Sequence, residues 1–228
     1  MIDGILLINK EKGITSYDVI RKLKKILPKN QKIGHSGTLD PFATGLLVIL
    51  LGKSTKLMEK ILSFEKEYLV TAEFGFSTDT QDITGKKINT SSVEEKISQE
   101  TLLSALEKNF LGDISQTPPI YSAKKVKGKK AYEYARENII VELKPKDVTI
   151  QKFCIIEYSW PIVQFDVICS SGTYIRTLVN DLGEKVGSFA TAIDLKRIKV
   201  GEFDLSDAIK SEDIVQGVKL NLIELNNE

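Results

Sequence analysis

The order of apolar and polar residues along this chain predicts a mixture of strands and helices. Across residues 65–76 apolar side chains occupy every second position, which is typical of a strand with one buried face. Residues 16–27 instead carry apolar side chains at helical spacing; Thr15 or Ser16 can cap this helix, and Pro28 ends it. Further strands are predicted at residues 4–9, 45–51, 148–158, 163–169 and 192–200, and further helices beginning at Ser54, at Thr101 and after Gly172.

These elements favour an α+β sheet, because they do not follow the strict strand-helix-strand alternation of a doubly wound fold. No internal repeat, low-complexity tract or Pro/Ser linker marks a domain boundary. We therefore interpret residues 1–228 as one body with an excursion at about residues 115–138.

Composition excludes several classes of protein. With 42% hydrophobic and 28% charged residues, no apolar run long enough to cross a bilayer and no signal peptide, the chain is expected to be soluble and cytoplasmic. Its two cysteines, Cys154 and Cys169, do not form a C-x-x-C pair, and with a single histidine a structural zinc site is not expected. The chemistry should therefore need no bound metal.

Residues 34–45, with the sequence GHSGTLDPFATG, concentrate polar chemistry in one short stretch. Glycines permit close backbone approach, and Pro41 disfavours a helical conformation at Asp40, so the segment is predicted as an ordered loop that leads into a buried strand. Asp40 is the best candidate for a catalytic carboxylate, although aspartate before proline is also a common turn residue. His35 is either functional or a hydrogen-bonded structural histidine.

Two residues far from this loop could share its chemistry. Arg176 lies in the first turn of a predicted helix, where the dipole disfavours a cation, so it needs an anionic partner. A guanidinium could hold Asp40 ionised through two parallel hydrogen bonds. Tyr68 offers a stacking face and a phenolic hydroxyl, which suit a flipped nucleobase. A surface arginine and a core tyrosine are the ordinary alternatives, and the residues alone leave them open.

The excursion is basic and aromatic. Five lysines fall within residues 124–130, and tyrosines follow at positions 132 and 134. The net charge of +1 neither favours nor excludes a nucleic-acid partner. A solvated surface is the ordinary interpretation of such a run of charge.

Residues 34–45 closely resemble the G-H-[ST]-G-[TA]-L-D-P-x-A-T-G signature of the TruB family, the tRNA pseudouridine synthases that act on the T arm. The resemblance covers essentially the whole chain, including residues 10–16, 78–80, 121–123, 128–136, 172–177 and 195–197. It implies a mixed, largely antiparallel central sheet with flanking helices, and conversion of the T-loop uridine at tRNA position 55 to pseudouridine. In that reaction the N1 glycosidic bond breaks, the uracil rotates and C5 bonds to the same sugar carbon, without any cofactor.

The same resemblance implies roles for individual residues. Asp40 would be the catalytic aspartate, acting on the sugar or on the base, with Arg176 paired to it. Tyr68 would stack on the target base after it has flipped out of the RNA. The remaining implied residues are Tyr174 and Leu195, which would close the pocket, His35, which would fill the space left by flipped bases, and the RNA contacts Lys10, Lys125, Lys129, Lys130 and Arg136.

Two positions depart from the family pattern: Glu11 stands where relatives usually have proline, and Lys124 where they have leucine. The chain also stops about 28 residues after Val200, so a C-terminal RNA-binding domain of the PUA type is expected to be absent. We expect a monomer that acts on the T stem-loop of tRNA without guide RNA. The alternatives are a guide-RNA-dependent relative that modifies ribosomal RNA, and a non-catalytic RNA-binding or tRNA-folding protein.

Overall fold

Strand β3 (Thr44–Leu51) is buried on both faces along almost its whole length, and other strands pair with both of its edges. In the computed structural model it runs antiparallel to β1 (Gly4–Lys10) and to β2 (Ile33–Ser36). At its first two residues it pairs in parallel with β12 (Ala190–Val200). A strand covered in this way has no polar face, which explains its continuous aliphatic sequence.

The structure describes residues 1–92, 94–122, 124–126, 128–137, 139 and 141–223, with the backbone alone described at Lys125 and Arg136. The chain forms two units: residues 1–69 with the described residues from 195 onward, and residues 70–194. Strands β4 (Lys66–Phe74) and β12 contribute residues to both units. The interpretation of the chain as one catalytic domain stays a prediction.

Helices are few in the described residues. The α-helices are α1 (Ser16–Ile26), α2 (Met58–Ser63), α3 (Gln99–Asn109), α4 (Ala131–Arg136) and α5 (Ile175–Lys185). Short 3-10 helices span Gly52–Leu57, Leu205–Asp207 and Ser211–Asp213. The other strands are β5 (Phe76–Thr78), β6 (Lys87–Thr90), β7 (Gly112–Gln116), β8 (Lys125–Val126), β9 (Lys129–Lys130), β10 (Lys146–Ser159), β11 (Ile162–Cys169), β13 (Phe203–Asp204), β14 (Ile209–Lys210) and β15 (Leu222–Ile223).

Each unit has its own strand pairing. In the first unit the order is β14-β1-β3-β12, with parallel pairs at β14-β1 and β3-β12. In the second unit the long strand β10 pairs antiparallel with β11 on one edge and β7 on the other. The predicted α+β fold with a mixed, largely antiparallel central sheet and flanking helices is confirmed.

Three predicted elements differ in detail. The strand expected over residues 65–76 ends at Phe74, because Gly75 adopts φ +105° and its N–H is bound by the carbonyls of Ser188 and Phe189. The helix expected from Ser54 is a 3-10 helix followed by α2. The first residues of the predicted glycine-rich loop form strand β2.

In the described part of the chain, no helix is both long and apolar enough to span a bilayer.

Gly45 sets how closely β3 and β12 approach each other. It has φ +101°, and a Cβ atom added there would lie 2.2 Å from the carbonyl oxygen of Arg197. The same residue pairs with Lys10 across β1. Lys10, Gly45 and Arg197 therefore lie side by side on three adjacent strands, and only glycine fits at the middle position.

We expect Gly45→Ala to destabilise the fold by about 2 kcal/mol more than Gly13→Ala, because only the former adds a steric clash with a neighbouring backbone. Gly13 is a matched control, since its φ of +90° carries similar strain and a Cβ atom added there would meet nothing within 4 Å. Urea unfolding followed by circular dichroism measures the difference. Equal destabilisation by the two substitutions would contradict the close approach.

Candidate active site

The loop that carries Asp40, residues 37–43, is anchored by its backbone and its apolar side chains. We call it the aspartate loop. Leu39 and Phe42 are buried, and the amide of Ala43 donates to the carbonyl of Asp40 at 3.1 Å. The carbonyl of Pro41 accepts from the amide of Gly13 at 2.7 Å. Asp40 itself is half-buried, so an ordered backbone presents a carboxylate that solvent or a ligand can still reach.

Helix α1 is attached to the aspartate loop by one hydroxyl. Ser16 Oγ donates to the carbonyl of Leu39 at 3.1 Å and accepts from the amide of the same residue at 2.8 Å. Thr15, not Ser16, caps the helix: its Oγ1 accepts from the amide of Asp18, whose carboxylate accepts from the amide of Thr15. The two hydroxyls offered by the sequence as alternative caps thus have separate tasks, one for the helix and one for the loop.

Lys10 lies at the end of β1 and is fully buried, with 0% of its surface exposed. Its ammonium donates to the carbonyls of Glu11 and Ile14, both at 2.9 Å. Burial lowers the pKa of Lys10 from 10.5 to about 8, although the charge of Asp40 opposes this shift. In this conformation the ammonium of Lys10 binds the backbone of its own chain. The predicted contact between Lys10 and RNA stays a prediction.

Arg197 lies beside Lys10 and Gly45 and is 1% exposed. Its Nε donates to the carbonyl of Leu46 at 2.8 Å, and its Nη2 donates to the carbonyl of Gly37 at 3.1 Å. The guanidinium therefore binds the chain on both sides of Asp40.

The other predicted site residues of this unit are His35, Tyr68 and Leu195. His35 lies on β2, and burial, followed by the charge of Arg197, lowers its pKa below the usual 6.5. Its Nδ1 is buried and has no hydrogen-bond partner among the described residues. Tyr68 on β4 is 8% exposed. Leu195 on β12 is buried and its carbonyl accepts from Thr44 Oγ1 at 3.4 Å.

In the second unit Arg176 is buried in the first turn of α5, 3% exposed, and the structure gives it an anionic partner. Its Nη1 lies 3.3 Å from Oδ2 of Asp82, which is 5% exposed. The same guanidinium donates to the carbonyls of Thr80 and, at 3.0 Å, of Tyr121. The expectation that Arg176 needs an anion is met by Asp82; its pairing with Asp40 stays a prediction.

Asp82 is held in a tight polar turn. Its Oδ1 accepts from the amide of Thr84 at 2.9 Å and from the hydroxyls of Thr80 at 3.0 Å and Thr84 at 2.5 Å. The carbonyl of Asp82 accepts from Thr78 Oγ1 at 2.7 Å. Both oxygens of a buried carboxylate are thereby satisfied, as the burial of a charge requires.

Tyr174 precedes α5 and is fixed by a side chain that the sequence did not single out. Gln116 at the end of β7 accepts from the amide of Tyr174 at 2.8 Å and donates to its carbonyl at 3.0 Å. This paired contact sets the backbone of Tyr174 and hence the start of the helix that carries Arg176.

The excursion contains the hairpin β8-β9 followed by α4. Lys129 forms a 2.6 Å ion pair with Glu137, which raises the pKa of Lys129, and its ammonium lies 5.0 Å from the ring of Tyr134. Lys130 lies 5.5 Å from the ring of Tyr132. Residues 123, 127 and 138, and the side chains of Lys125 and Arg136, lie outside what the structure describes, so their predicted RNA contacts stay predictions.

Sequence reasoning missed Asp82, Gln116 and the contacts of Arg197. A basic residue within an apolar strand pattern was a signal for Arg197, since a buried charge there needs specific partners. The residues next to Asp82 and Gln116 in sequence do not distinguish them from other polar residues. Within the described ranges, no group of three or more histidine, cysteine, aspartate or glutamate side chains could hold a metal ion.

We expect the stability advantage of the wild type over Lys10→Met to grow between about pH 8 and pH 10.5. In this window the unfolded chain keeps the Lys10 proton, while the folded protein, with a pKa of about 8, has lost it. The unfolded state thus binds more protons, so the free energy of unfolding rises with pH, by at most about 1.4 kcal/mol per unit. Below pH 8 the cost of burying the charge is fully present. Urea unfolding of both proteins from pH 7 to 10 measures it, and a constant difference would contradict a buried, charged Lys10.

We expect Asp82→Asn to destabilise the protein by about 3 kcal/mol, because it leaves the buried guanidinium of Arg176 without its carboxylate. The fluorescence of the single tryptophan, Trp160, reports unfolding in urea. Glu67→Gln is the matched control: Glu67 lies 3.9 Å from the half-exposed Lys199, and loss of such a pair should cost less than about 1 kcal/mol. Equal effects would mean that the buried pair contributes no more than an exposed one.

Comparison with known proteins connects these features. Residues 24–175 match the family model described as "TruB family pseudouridylate synthase (N terminal domain)", and residues 176–221 match "tRNA pseudouridylate synthase B C-terminal domain". A curated protein of Endomicrobium trichonymphae named tRNA pseudouridine synthase B is 48% identical over 93% of this chain and 91% of its own length. A protein of the same name from Fusobacterium nucleatum is 45% identical over 90% of this chain and 70% of its own.

Solved structures show the same fold. The chain is similar to one in the crystal structure of a Cbf5-Nop10-Gar1 complex, with a TM-score of 0.68 and 25% identity over 92% of this chain and 53% of that one. A chain in an H/ACA RNP bound to a substrate RNA containing 2'-deoxyuridine gives a TM-score of 0.65 and 22% identity over 92% of this chain and 51% of that one. The chain thus spans about half the length of these solved chains. Since a family model matches more than half of its residues and relatives are nearly half identical to it, the chain belongs to the TruB family of pseudouridylate synthases.

Proposed function

We propose that this protein isomerises a uridine in the T loop of tRNA, at position 55, to pseudouridine, with Asp40 as the reacting carboxylate. Relatives of up to 48% identity that are named tRNA pseudouridine synthase B support tRNA as the substrate. The proposed tRNA substrate implies a cytoplasmic location for the protein. Isomerisation leaves the composition of the nucleotide unchanged: the bond from the sugar to N1 is replaced by one to C5, C5 loses its proton, and N1 gains one.

The observation that carries the proposal is the aspartate loop. Its backbone is bound by Ser16 and Gly13, and its apolar residues are buried, yet Asp40 remains partly exposed. Catalysis by a carboxylate needs this combination of a fixed position and an open approach. An ordinary turn aspartate would need only the open approach.

The charges around Asp40 support a reactive role. Lys10 and Arg197 are buried, and the charges of both Asp40 and Arg197 act on Lys10. Fixed positive charge close to a carboxylate favours its ionised form. An ionised Asp40 can serve either as a nucleophile towards the sugar or the base, or as a proton acceptor.

Base flipping gives the aromatic and apolar residues their proposed tasks. Tyr68 would stack on the extruded uracil and take part in proton transfer at C5, and Tyr174 and Leu195 would close the pocket. His35 would fill the space left in the RNA. Unstacking one base costs roughly a few kcal/mol, and contacts of this kind can offset it. The proposed pair of Arg176 with Asp40 would link the guanidinium of α5 to the reacting group.

The excursion is the proposed grip on RNA. Lys129 and Lys130 lie over tyrosine rings on a short hairpin and helix, and phosphates would compete with Glu137 for Lys129. Phosphate contacts of this type position an RNA without reading its sequence. Lys10, Lys125 and Arg136 complete the proposed set of contacts with the T stem-loop.

Two other functions make different predictions. One alternative is a guide-RNA-dependent synthase; the curated relatives named tRNA pseudouridine synthase B support tRNA as the substrate instead. We propose that the protein acts on it as a monomer and without guide RNA. A non-catalytic RNA-binding or tRNA-folding protein would not need the carboxylate of Asp40.

We expect the purified protein to convert an unmodified T stem-loop in the absence of guide RNA and added metal, and Asp40→Asn to reduce turnover by about 10²–10⁴-fold while the RNA still binds. Substitution by the isosteric amide removes the charge and the proton acceptor with little change in shape. Pseudouridine is measured by carbodiimide-blocked primer extension, and RNA binding by filter retention. Asp207→Asn, an exposed aspartate of the same unit, is the control and should retain full turnover.

The outcomes separate the three functions. No product from wild type without guide RNA, but product with it, would favour the guide-dependent alternative. Binding without product in either case would favour the non-catalytic alternative. Full turnover by Asp40→Asn would refute the role of Asp40 and leave the family intact.

A further inference from the structure

Arg197 bridges the two ends of the segment that contains Asp40. Its Nε binds the carbonyl of Leu46 at 2.8 Å and its Nη2 binds the carbonyl of Gly37 at 3.1 Å. Gly37 lies three residues before Asp40, and Leu46 lies on β3 just beyond the loop. One planar group therefore fixes the separation between the start of the loop and the strand that follows it.

The glycines of the loop fit this bridge. A Cβ atom at Gly37 would lie 3.3 Å from Nη1 of Arg197, and Gly37 has φ +86°. A Cβ atom at Gly45 would overlap the backbone of Arg197. Two of the glycines that made residues 34–45 distinctive thus make room for the same arginine, one for its guanidinium and one for its backbone.

The bridge also places a positive charge at the loop. Arg197 is 1% exposed, so its charge is weakly screened by water. That charge contributes to the lowered pKa of both His35 and Lys10, which lie on two other strands. The guanidinium thus acts on β1 and β2 as well as on the two carbonyls that it binds.

Resting on the proposed function, we propose that Arg197 is the positioning residue of the aspartate loop: by binding the carbonyls of Gly37 and Leu46, it holds Asp40 where the chemical step requires it. Arg197 is 1% exposed, so it offers almost no surface for RNA to contact. Its loss should therefore affect the turnover of bound RNA rather than the binding of RNA.

Kinetics with Arg197→Lys and Arg197→Met test this assignment. A lysine keeps the charge but cannot make two divergent N–H bonds from a planar fork, so kcat should fall about ten- to a hundredfold, with the Kd for the T stem-loop unchanged. In Arg197→Met, kcat should fall further than in Arg197→Lys. Lys199→Met, two residues along the same strand and half-exposed, is the control for loss of a positive charge and should retain wild-type kcat.

The single histidine supplies a second measurement, which reports where the charge of Arg197 lies. The NMR titration of His35 follows one resolved ring signal, since the chain has no other histidine. Arg197→Met removes a charge that lowers the pKa of His35, so the pKa should rise; Arg197→Lys keeps the charge, so it should stay low. The Lys variant, which preserves volume and charge, keeps the test valid if the Met variant fails to fold.

Unchanged kcat in a folded Arg197→Lys variant would overturn the proposal, as would a loss of RNA binding that accounts for the whole loss of activity. An unchanged His35 pKa in folded Arg197→Met would show that the guanidinium does not lie at the loop. If the wild type makes no pseudouridine at all, the proposed function fails and takes the catalytic part of this proposal with it. The histidine titration still decides whether the guanidinium of Arg197 lies at the loop.

Discussion

The first unit depends on the hydrogen bonds made by one buried guanidinium, that of Arg197. Removing a charge from water is costly, so Arg197 is tolerated only because backbone carbonyls accept its N–H groups. Those carbonyls belong to the aspartate loop and to the strand that follows it. The requirement to satisfy one charge thereby becomes a restriction on the conformation of the loop, and glycine is needed at positions 37 and 45 because both lie against Arg197.

The second unit repeats this arrangement with different residues. Arg176 is buried, pairs with Asp82, and binds carbonyls of Thr80 and Tyr121, which lie about 40 residues apart in sequence. In both units an arginine connects chain segments that are distant in sequence. Buried charge groups of this kind contribute modestly to net stability compared with apolar packing, and their clearest effect is to exclude other arrangements of the loops they bind.

Sequence patterns were most informative where burial is periodic. The limits of α1, β3 and β12 were close to prediction because each has a continuous apolar stripe or run. Asp40 stood out because its neighbours are glycines and a proline. Asp82 could not be identified, since burial distinguishes it from nearby Asp79 and arises only when α5 packs against the turn. Lys10 ends the apolar strand β1, and its burial, with its ammonium bound to the carbonyls of Glu11 and Ile14, could not be foreseen from the sequence.

Lys129 has a consequence for selectivity. Its ammonium already forms an ion pair with Glu137 of the same chain, which would compete with a phosphate for the same group. The carboxylate of Glu137 belongs to the same chain and so has a high effective concentration near Lys129. A single free phosphate or mononucleotide must therefore bind Lys129 more tightly to displace it. A structured RNA offers several phosphates at once and can make that exchange. The proposed grip on RNA would therefore discriminate against small anions.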